Sequence, residues 1–286
     1  MRNPSVAGRH RAKMHHRPER RRIASFGWQP DLPDARDHYF AVRSATLKKL
    51  PARVDLRPKC PPVYDQGSIG SCTANAIAGA IEFERRKAGE KPTFTPSRLF
   101  IYYNERAIEG SVANDSGAQI RDGIKSVNRQ GACPEKMWPY DDTPAVSDGG
   151  PWPAGAKPAQ KPPRPCYATA LDYQVVQYQR VMPILGQMKG ALAEGNPFVF
   201  GFTVYASLYG ANGAPRKVVP MPAPKDKVLG GHAVLAVGYD DKAQQFIVRN
   251  SWGRDNQDKG YFYMPYAYLT DSGLADDFWV IQLVER

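Results

Sequence analysis

The sequence contains few cysteines and histidines and no long hydrophobic run. No apolar stretch approaches the roughly 18 residues of a membrane-spanning helix, so no membrane span is expected. The four cysteines include no CxxC pair, which argues against a zinc site, and they are too few for a disulfide framework in 286 residues. We therefore expect neither a metal nor a cofactor. A basic start without a following apolar segment predicts no cleavable secretory signal, which leaves the cytoplasm or export by a signal-independent route.

The positive charge is concentrated at the N-terminus. The net charge is +11, and the first 28 residues carry eight lysines and arginines against one acidic residue. The basic run Arg9–Arg22 is typical of a solvated tail, and it is also compatible with binding of an anionic ligand or surface. No aromatic residue interrupts the run, which argues against stacking on nucleic-acid bases. The remainder has the apolar content of a globular protein.

Helical and strand-like patterns occupy different parts of the chain. Helices are predicted over Cys72–Lys87, after Thr95–Pro96, after a cap at Asp115–Ser116 and over Leu185–Glu194. Strands are predicted over Pro197–Tyr205, Ala233–Tyr239, Gln245–Asn250, Gly260–Met264 and Phe278–Val284. This segregation indicates an α+β fold. We divide the chain into a basic N-terminal arm (residues 1–49, hereafter the arm), a mainly helical domain with a proline-rich linker (50–165) and a mainly β, barrel-like domain (166–286).

Three segments supply the groups that nucleophilic catalysis by cysteine needs. QGSIGSC ends at Cys72, GGHAV contains His232, and VRNSWG contains Asn250. Cys72 is the candidate nucleophile at the start of a helix, where the helix dipole favours a thiolate. His232 is the candidate proton carrier, and Asn250 is expected to orient its imidazole. The side chain of Gln66 and the backbone N–H of Cys72 are expected to form an oxyanion hole.

The order of these residues and several flanking segments identify a family. The imidazole and the carboxamide follow the thiol by 160 and 178 residues, and LPARVDLR (50–57), WPYD (138–141) and KGYFYM (259–264) occur at fitting places. Over residues 50–286 the chain resembles the papain-like cysteine peptidases, most closely their compact bacterial members of the xylellain type. The resemblance implies the papain fold, with a helical left domain, a β-rich right domain and the active site in the cleft between them. It also implies peptide or protein substrates and a Cys thioester intermediate.

The resemblance also assigns substrate-binding residues. These are Gly117, Ala118, Gly231, Trp252 and Asp276. Trp252 is expected to shield the His–Asn hydrogen bond on the leaving-group side, the side of the C-terminal product. Asp276 is expected at the floor of the S2 pocket, which receives the side chain two positions ahead of the cleaved bond, where it would pair with arginine or lysine. The alternative is that Asp276 and the next aspartate are solvated turn residues.

The chain departs from the family pattern at three positions. Ile69 replaces a cysteine three residues before the nucleophile, so the usual disulfide there is absent. Thr73 and Asn256 replace tryptophans, which changes the shape expected for the leaving-group side of the cleft. The cysteines other than Cys72 leave one pair free to bridge, among Cys60, Cys133 and Cys166.

The leading hypothesis is an endopeptidase that the arm keeps latent. The prolines and apolar side chains of Phe26–Phe40 predict an extended segment that packs on the body, anchored by Phe26, Trp28 and Leu32. The loop Ala211–Val228 either rims the active site or is a passive connection. Two alternatives use the same residues: a catalytically silent binding or regulatory protein, and a transamidating acyltransferase.

Overall fold

The computed structural model describes residues 26–91, 93–175 and 177–282. The basic run Arg9–Arg22, with its predicted anionic ligand, lies outside the described residues. The helices are α1 Ser44–Lys48, α2 Cys72–Lys87, α3 Arg98–Glu109, α4 Ile120–Gln130, α5 Arg164–Ala170, α6 Leu185–Ala193 and α7 Tyr266–Leu269. The strands are β1 Trp28–Gln29, β2 Arg53–Asp55, β3 Ala118–Gln119, β4 Gln177–Arg180, β5 Phe198–Tyr205, β6 Val228–Asp240, β7 Gln245–Arg249, β8 Tyr261–Pro265 and β9 Ala275–Gln282.

The helix α2 forms the centre of the helical half. It is buried from Cys72 to Arg85 and packs on β6 and β9. Alanine recurs in its first half and favours helix formation, while Gly79 lets the helix approach Leu235 and Arg249 of the sheet closely. The helix begins with the predicted nucleophile, so its position fixes the position of that thiol.

The two other long helices of this half have different start signals. α3 follows Ser97, whose hydroxyl accepts a hydrogen bond from the Phe100 N–H at 3.2 Å. α4 begins at Ile120, so the cap predicted at Asp115–Ser116 is wrong. The Asp115 carboxylate accepts instead from the Gly70 N–H at 3.0 Å and from the Tyr102 hydroxyl at 2.5 Å. A tertiary role thus replaces the local one.

All of the strands except β1 and β3 form one large antiparallel sheet beside the helices. Its order is β4-β9-β5-β6-β7-β8, and β2 pairs with β6 off this path. Aromatic side chains of β5 and β9 pack together on one face, with Phe200 stacked on Phe278 at 5.7 Å between ring centroids. Helices and sheet are segregated, and the predicted α+β class is confirmed. No helix in the described part of the chain is long and apolar enough to cross a bilayer.

A β-bulge interrupts the pairing of β5 with β9. Val199 lies opposite Trp279, but Gly201 lies opposite Asp276, so two residues of β9 face one residue of β5. The first of those two is Asp277, whose φ is 58°. A positive φ in a residue with a side chain is a strained conformation. The bulge turns the Asp277 side chain inward, and that side chain is only 1% exposed.

The described part of the arm lies on both halves of the body. β1 pairs in parallel with β3, joining Trp28 to Ala118. Further along, the Phe40 N–H donates to the Arg180 carbonyl at 2.9 Å, and Phe40 is buried against the sheet. Leu32 is 70% exposed, so it is not the apolar anchor that the sequence predicts. The arm therefore bridges the two halves near the cleft between them.

Candidate active site

The predicted nucleophile is completely buried. Cys72 begins α2 and has no exposed surface. Burial raises the pKa of its thiol to about 12, although the backbone N–H groups of Ala233 and Gly27 partly oppose that shift. The helix start alone predicts a thiolate, but desolvation dominates here because the arm covers the sulfur. In this arrangement the thiol is protonated.

The predicted proton carrier lies on β6 between two aromatic rings. His232 stacks on Trp252 at 4.7 Å between ring centroids, and Phe202 meets its edge at 5.7 Å. Its Nε2 lies 2.9 Å from Asn250 Oδ1. Its Nδ1 is buried and has no hydrogen-bond partner among the described residues. Burial lowers the pKa of His232 to about 4, so the imidazole is neutral.

The side chain of Asn250 is fixed at both ends. Its Oδ1 accepts from the Ser251 N–H at 2.8 Å as well as facing His232. Its Nδ2 donates to Gln257 Oε1 at 2.7 Å, and Gln257 Nε2 donates to the Arg216 carbonyl at 3.0 Å. Because an amide can rotate by half a turn, an acceptor for Nδ2 decides which end faces the imidazole. Sequence reasoning missed Gln257. Its φ of 52° cannot be read from the sequence.

The oxyanion-hole candidate is tied to the same loop. Gln66 is fully buried, and its Oε1 accepts from the Ser251 hydroxyl at 2.6 Å. Its Nε2 donates one hydrogen to the Ile69 carbonyl at 3.1 Å, which leaves the second hydrogen of this amide for another acceptor. Ser251 therefore aligns Gln66 with the Asn250 loop. The sequence gives no signal for this role.

The arm passes directly over these groups. The Phe26 ring lies 6.3 Å from the His232 ring and 6.5 Å from the Trp252 ring, between centroids. The next carbonyl, that of Gly27, accepts from the Ala118 N–H at 2.7 Å. A side chain at position 27 would overlap the Gly70 carbonyl, so only glycine fits between the arm and the Cys72 loop.

Three of the predicted substrate-binding residues, Gly117, Ala118 and Gly231, lie around Gly27 and Trp28 of the arm, whereas Trp252 lies at Phe26. Trp28 pairs with Ala118 and lies against Gly231, while a Cβ at Gly117 would overlap the Gly27 carbonyl. The side chain of Asp276 is 47% exposed and bonds Arg180 at 2.9 Å. The carboxylate that contacts Trp28 is the neighbouring Asp277, which sequence reasoning gave only as a turn residue.

Thr73, which replaces a tryptophan of the family pattern, has a polar partner in the structure. Thr73 donates from its hydroxyl to Glu105 Oε1 at 2.7 Å directly behind Cys72. Glu105 is fully buried, and burial raises its pKa well above the usual range. Burial thus favours the uncharged form of the acid behind the thiol. All four cysteines are unbridged, and the described ranges contain no group of three or more side chains suited to a metal.

The same fold and chain order occur in known proteins. The model of the papain family of cysteine proteases matches residues 50–280. The structure is similar to xylellain, a cysteine protease from Xylella fastidiosa, with 50% identity and a TM-score of 0.89 over 93% of this chain and 99% of that chain. In sequence it is 41% identical to an uncharacterized peptidase C1-like protein of Acanthamoeba polyphaga mimivirus, over 91% of this chain and 87% of that protein. It is 31% identical to the cathepsin B-like CP3 of Giardia intestinalis, over 77% of this chain and 70% of that protein. The chain therefore belongs to the papain family and is a cysteine peptidase that acts on peptide or protein substrates.

Proposed function

We propose that this peptidase is an endopeptidase in which Cys72 is the nucleophile, His232 the proton carrier and Asn250 the residue that orients the imidazole. The observation that carries the proposal is the environment of His232. Its Nε2 faces the Asn250 carboxamide, and its Nδ1 has no partner within the described residues and is free to exchange a proton with a thiol. The arm extends past Cys72 in both directions, from Phe26 at Trp252 to Trp28 at Ala118. The cleft is therefore open at both ends, which supports cleavage within a chain over removal of its terminal residues.

The proposed reaction proceeds through a thioester. The Cys72 thiol gives its proton to His232, and Sγ bonds to the carbonyl carbon of the scissile peptide. The free hydrogen of the Gln66 amide and the Cys72 N–H stabilise the resulting oxyanion. The C–N bond breaks, the amine leaves with the proton from His232, and a thioester remains. Water then gives a proton to His232 and attacks the thioester, which releases the acid and restores the thiol.

We further propose that the arm keeps the enzyme latent. Two observations support this: the arm backbone crosses at Cys72, and burial favours the neutral forms of both reacting groups. With the thiol pKa raised to about 12 and the imidazole pKa lowered to about 4, a thiolate–imidazolium pair is strongly disfavoured. Removal of the arm admits water, which stabilises the charged pair.

The direction of the arm explains why it is not itself a substrate. Phe26 lies at Trp252, on the leaving-group side, and the later residue Trp28 lies on the opposite, acyl side. A substrate runs from the acyl side to the leaving-group side with increasing residue number. The arm runs the other way, and its Gly27 carbonyl faces Ala118 instead of the oxyanion hole. Its peptide bonds are therefore misaligned for attack.

Hydrolysis of fluorogenic peptides tests the proposal. The full chain should cleave slowly, and a chain that begins at Gln29, which lacks the residues over Cys72, should cleave much faster. Cys72→Ala should abolish cleavage in both chains. Equal rates for the two chains would contradict latency. Iodoacetamide labelling of Cys72 without any cleavage would indicate a binding or regulatory protein, and amide products formed with an added amine would indicate an acyltransferase.

A further inference from the structure

A pocket beside Cys72 contains a side chain of the arm. The Trp28 indole lies where a Cβ at Gly201 would overlap its ring, and a Cβ at Gly231 would come within 2.8 Å of its Cε3. Ala118, its partner in β pairing, contributes only a methyl group. Three small residues therefore leave room for a two-ring side chain. Trp28 is only 8% exposed there.

The floor of this pocket is the carboxylate of Asp277. Its Oδ2 accepts from the Trp28 indole N–H at 3.1 Å and from the Asp31 backbone N–H at 2.8 Å. Its Oδ1 accepts from Arg180 at 2.9 Å. Both donors to Oδ2, the Trp28 indole and the Asp31 amide, belong to the arm, whereas Arg180 belongs to the body. When the arm leaves, Oδ2 loses both of these donors and still faces the pocket.

The backbone of Asp277 is strained in a way that points the carboxylate inward. It is the bulged residue of β9 and has a φ of 58°. In a regular strand, neighbouring side chains point to opposite faces of the sheet, so without the bulge Asp277 and Phe278 would face opposite sides. Strained non-glycine residues cluster at binding and catalytic sites, where the conformation serves a ligand. The strain at Asp277 thus belongs to the bulge that places its carboxylate in the pocket.

We propose that Asp277, and not Asp276, is the specificity-determining residue, and that this pocket receives a tryptophan side chain two positions ahead of the cleaved bond in the substrate. Tryptophan is favoured over arginine or lysine because Arg180 already bonds Asp277 and repels a second cation. An indole supplies a donor without charge and fills the space that Gly201 leaves. The inference rests on the proposed peptidase function.

The test uses the full chain with the variants Trp28→Ala and Asp37→Ala combined, which empties the pocket and removes an arm anchor. Peptides that differ only in Trp, Phe, Arg or Leu at this position are compared by kcat/KM. Tryptophan should exceed phenylalanine by at least about tenfold, because phenylalanine leaves a buried acceptor unpaired. Adding Asp277→Asn should bring the ratio close to one, since Arg180 retains the Asn oxygen and turns its NH2 group toward the indole. Adding Asp276→Asn instead is the matched control and should preserve the ratio.

A second variant tests the same pocket in case the Asp277→Asn protein does not fold. Gly201→Val fills the indole space and should lower kcat/KM for the tryptophan peptide far more than for the leucine peptide. A preference for arginine, or a Trp-to-Phe ratio that Asp277→Asn leaves unchanged, overturns the inference while leaving the peptidase function intact. Iodoacetamide labelling of Cys72 without cleavage of any peptide overturns the function and this inference together.

Discussion

The arm binds the two sides of the cleft by different kinds of interaction. On the leaving-group side, Phe26 makes ring contacts with His232 and Trp252. On the acyl side, arm carboxylates form buried ion pairs with the body, such as Asp37 with Arg121 at 2.5 Å. The obstruction above the thiol is thus secured mainly by anchors some ten residues further along the chain. This difference predicts that changes far from the chemistry release the enzyme and that changes beside it do little.

The largest effect is expected from Asp37→Ala. Asp37 accepts two hydrogen bonds from Arg121 and one from Arg180, and the Arg121 pair is almost fully buried. Breaking a buried ion pair costs about 3–5 kcal/mol, so arm docking should weaken by at least a factor of about one hundred. Iodoacetamide labelling of Cys72 and peptide hydrolysis should both accelerate accordingly.

Another aspartate of the arm provides the matched control. Asp34 forms its closest ion pair with Arg36, inside the arm itself, and reaches the body only at 4.0 Å from Lys125. Asp34→Ala should therefore change labelling of Cys72 little. Equal acceleration by both variants would show that the acyl-side anchors have no special strength.

The second effect is a pH dependence of docking at Asp31. Burial and then the neighbouring Asp277 raise the pKa of Asp31 to about 7. Hydrogen bonds from Arg121 and Trp279 and the charge of Arg121 oppose this shift. The docked arm retains a proton that a free arm loses near pH 4. Docking is therefore tightest below about pH 4 and weakens as the pH rises to about 7.

Hydrogen exchange measures docking directly, and comparison with Asp31→Asn separates the contribution of Asp31 from that of His232, whose lowered pKa acts in the opposite direction. The Ala118 amide donates to the Gly27 carbonyl, so its protection reports docking. Corrected for intrinsic exchange, protection should fall by at least about tenfold between pH 4 and 7. Asp31→Asn should flatten the profile, and an unchanged slope in this variant would assign the dependence to another group.

The third effect concerns the positioning of Asn250. Gln257→Ala removes the acceptor of the Asn250 Nδ2, so the amide can rotate and present the wrong end to His232. We expect kcat to fall by about tenfold with little change in KM, measured in the Asp37→Ala background. Gln257→Glu keeps an acceptor and should restore most of kcat. Gln244, at a similar positive φ of 56°, is the control for backbone strain, and Gln244→Ala should leave kcat unchanged.

The smallest effect is expected from Phe26→Ala. Ring contacts of this kind contribute about 0.5–1.5 kcal/mol, so labelling of Cys72 should accelerate only a few-fold. Acceleration as large as that of Asp37→Ala would reverse the comparison and place the main anchor over the catalytic groups.

Local signals explain what the sequence predicts well. The α2 helix begins and ends as predicted, at Cys72 and Lys87, because alanine-rich periodicity ends at Gly89. Fold class and enzyme class are confirmed, since both depend on motifs with fixed chain order. The predicted domain boundaries stay a prediction, and β2, from the first half, joins the main sheet.

Tertiary effects explain what the sequence does not predict. A one-residue bulge decides that Asp277, and not Asp276, faces inward, and no local pattern reveals a bulge. Ser251 and Gln257 act through side chains of distant residues. The pKa of Cys72 depends on burial by the arm, which reverses the direction expected from a helix start alone.

The covering segment continues without a break into β2 of the body, so under the proposed latency inhibitor and enzyme are always present in equal amounts. Detachment from the cleft does not dilute the arm, which remains at a high effective concentration set by its short attachment. Release by a change of conditions is therefore reversible and independent of protein concentration. The proposed latency therefore implies that permanent activation requires a cut in the chain between the cleft-covering residues and Leu50, which is a separate, irreversible event.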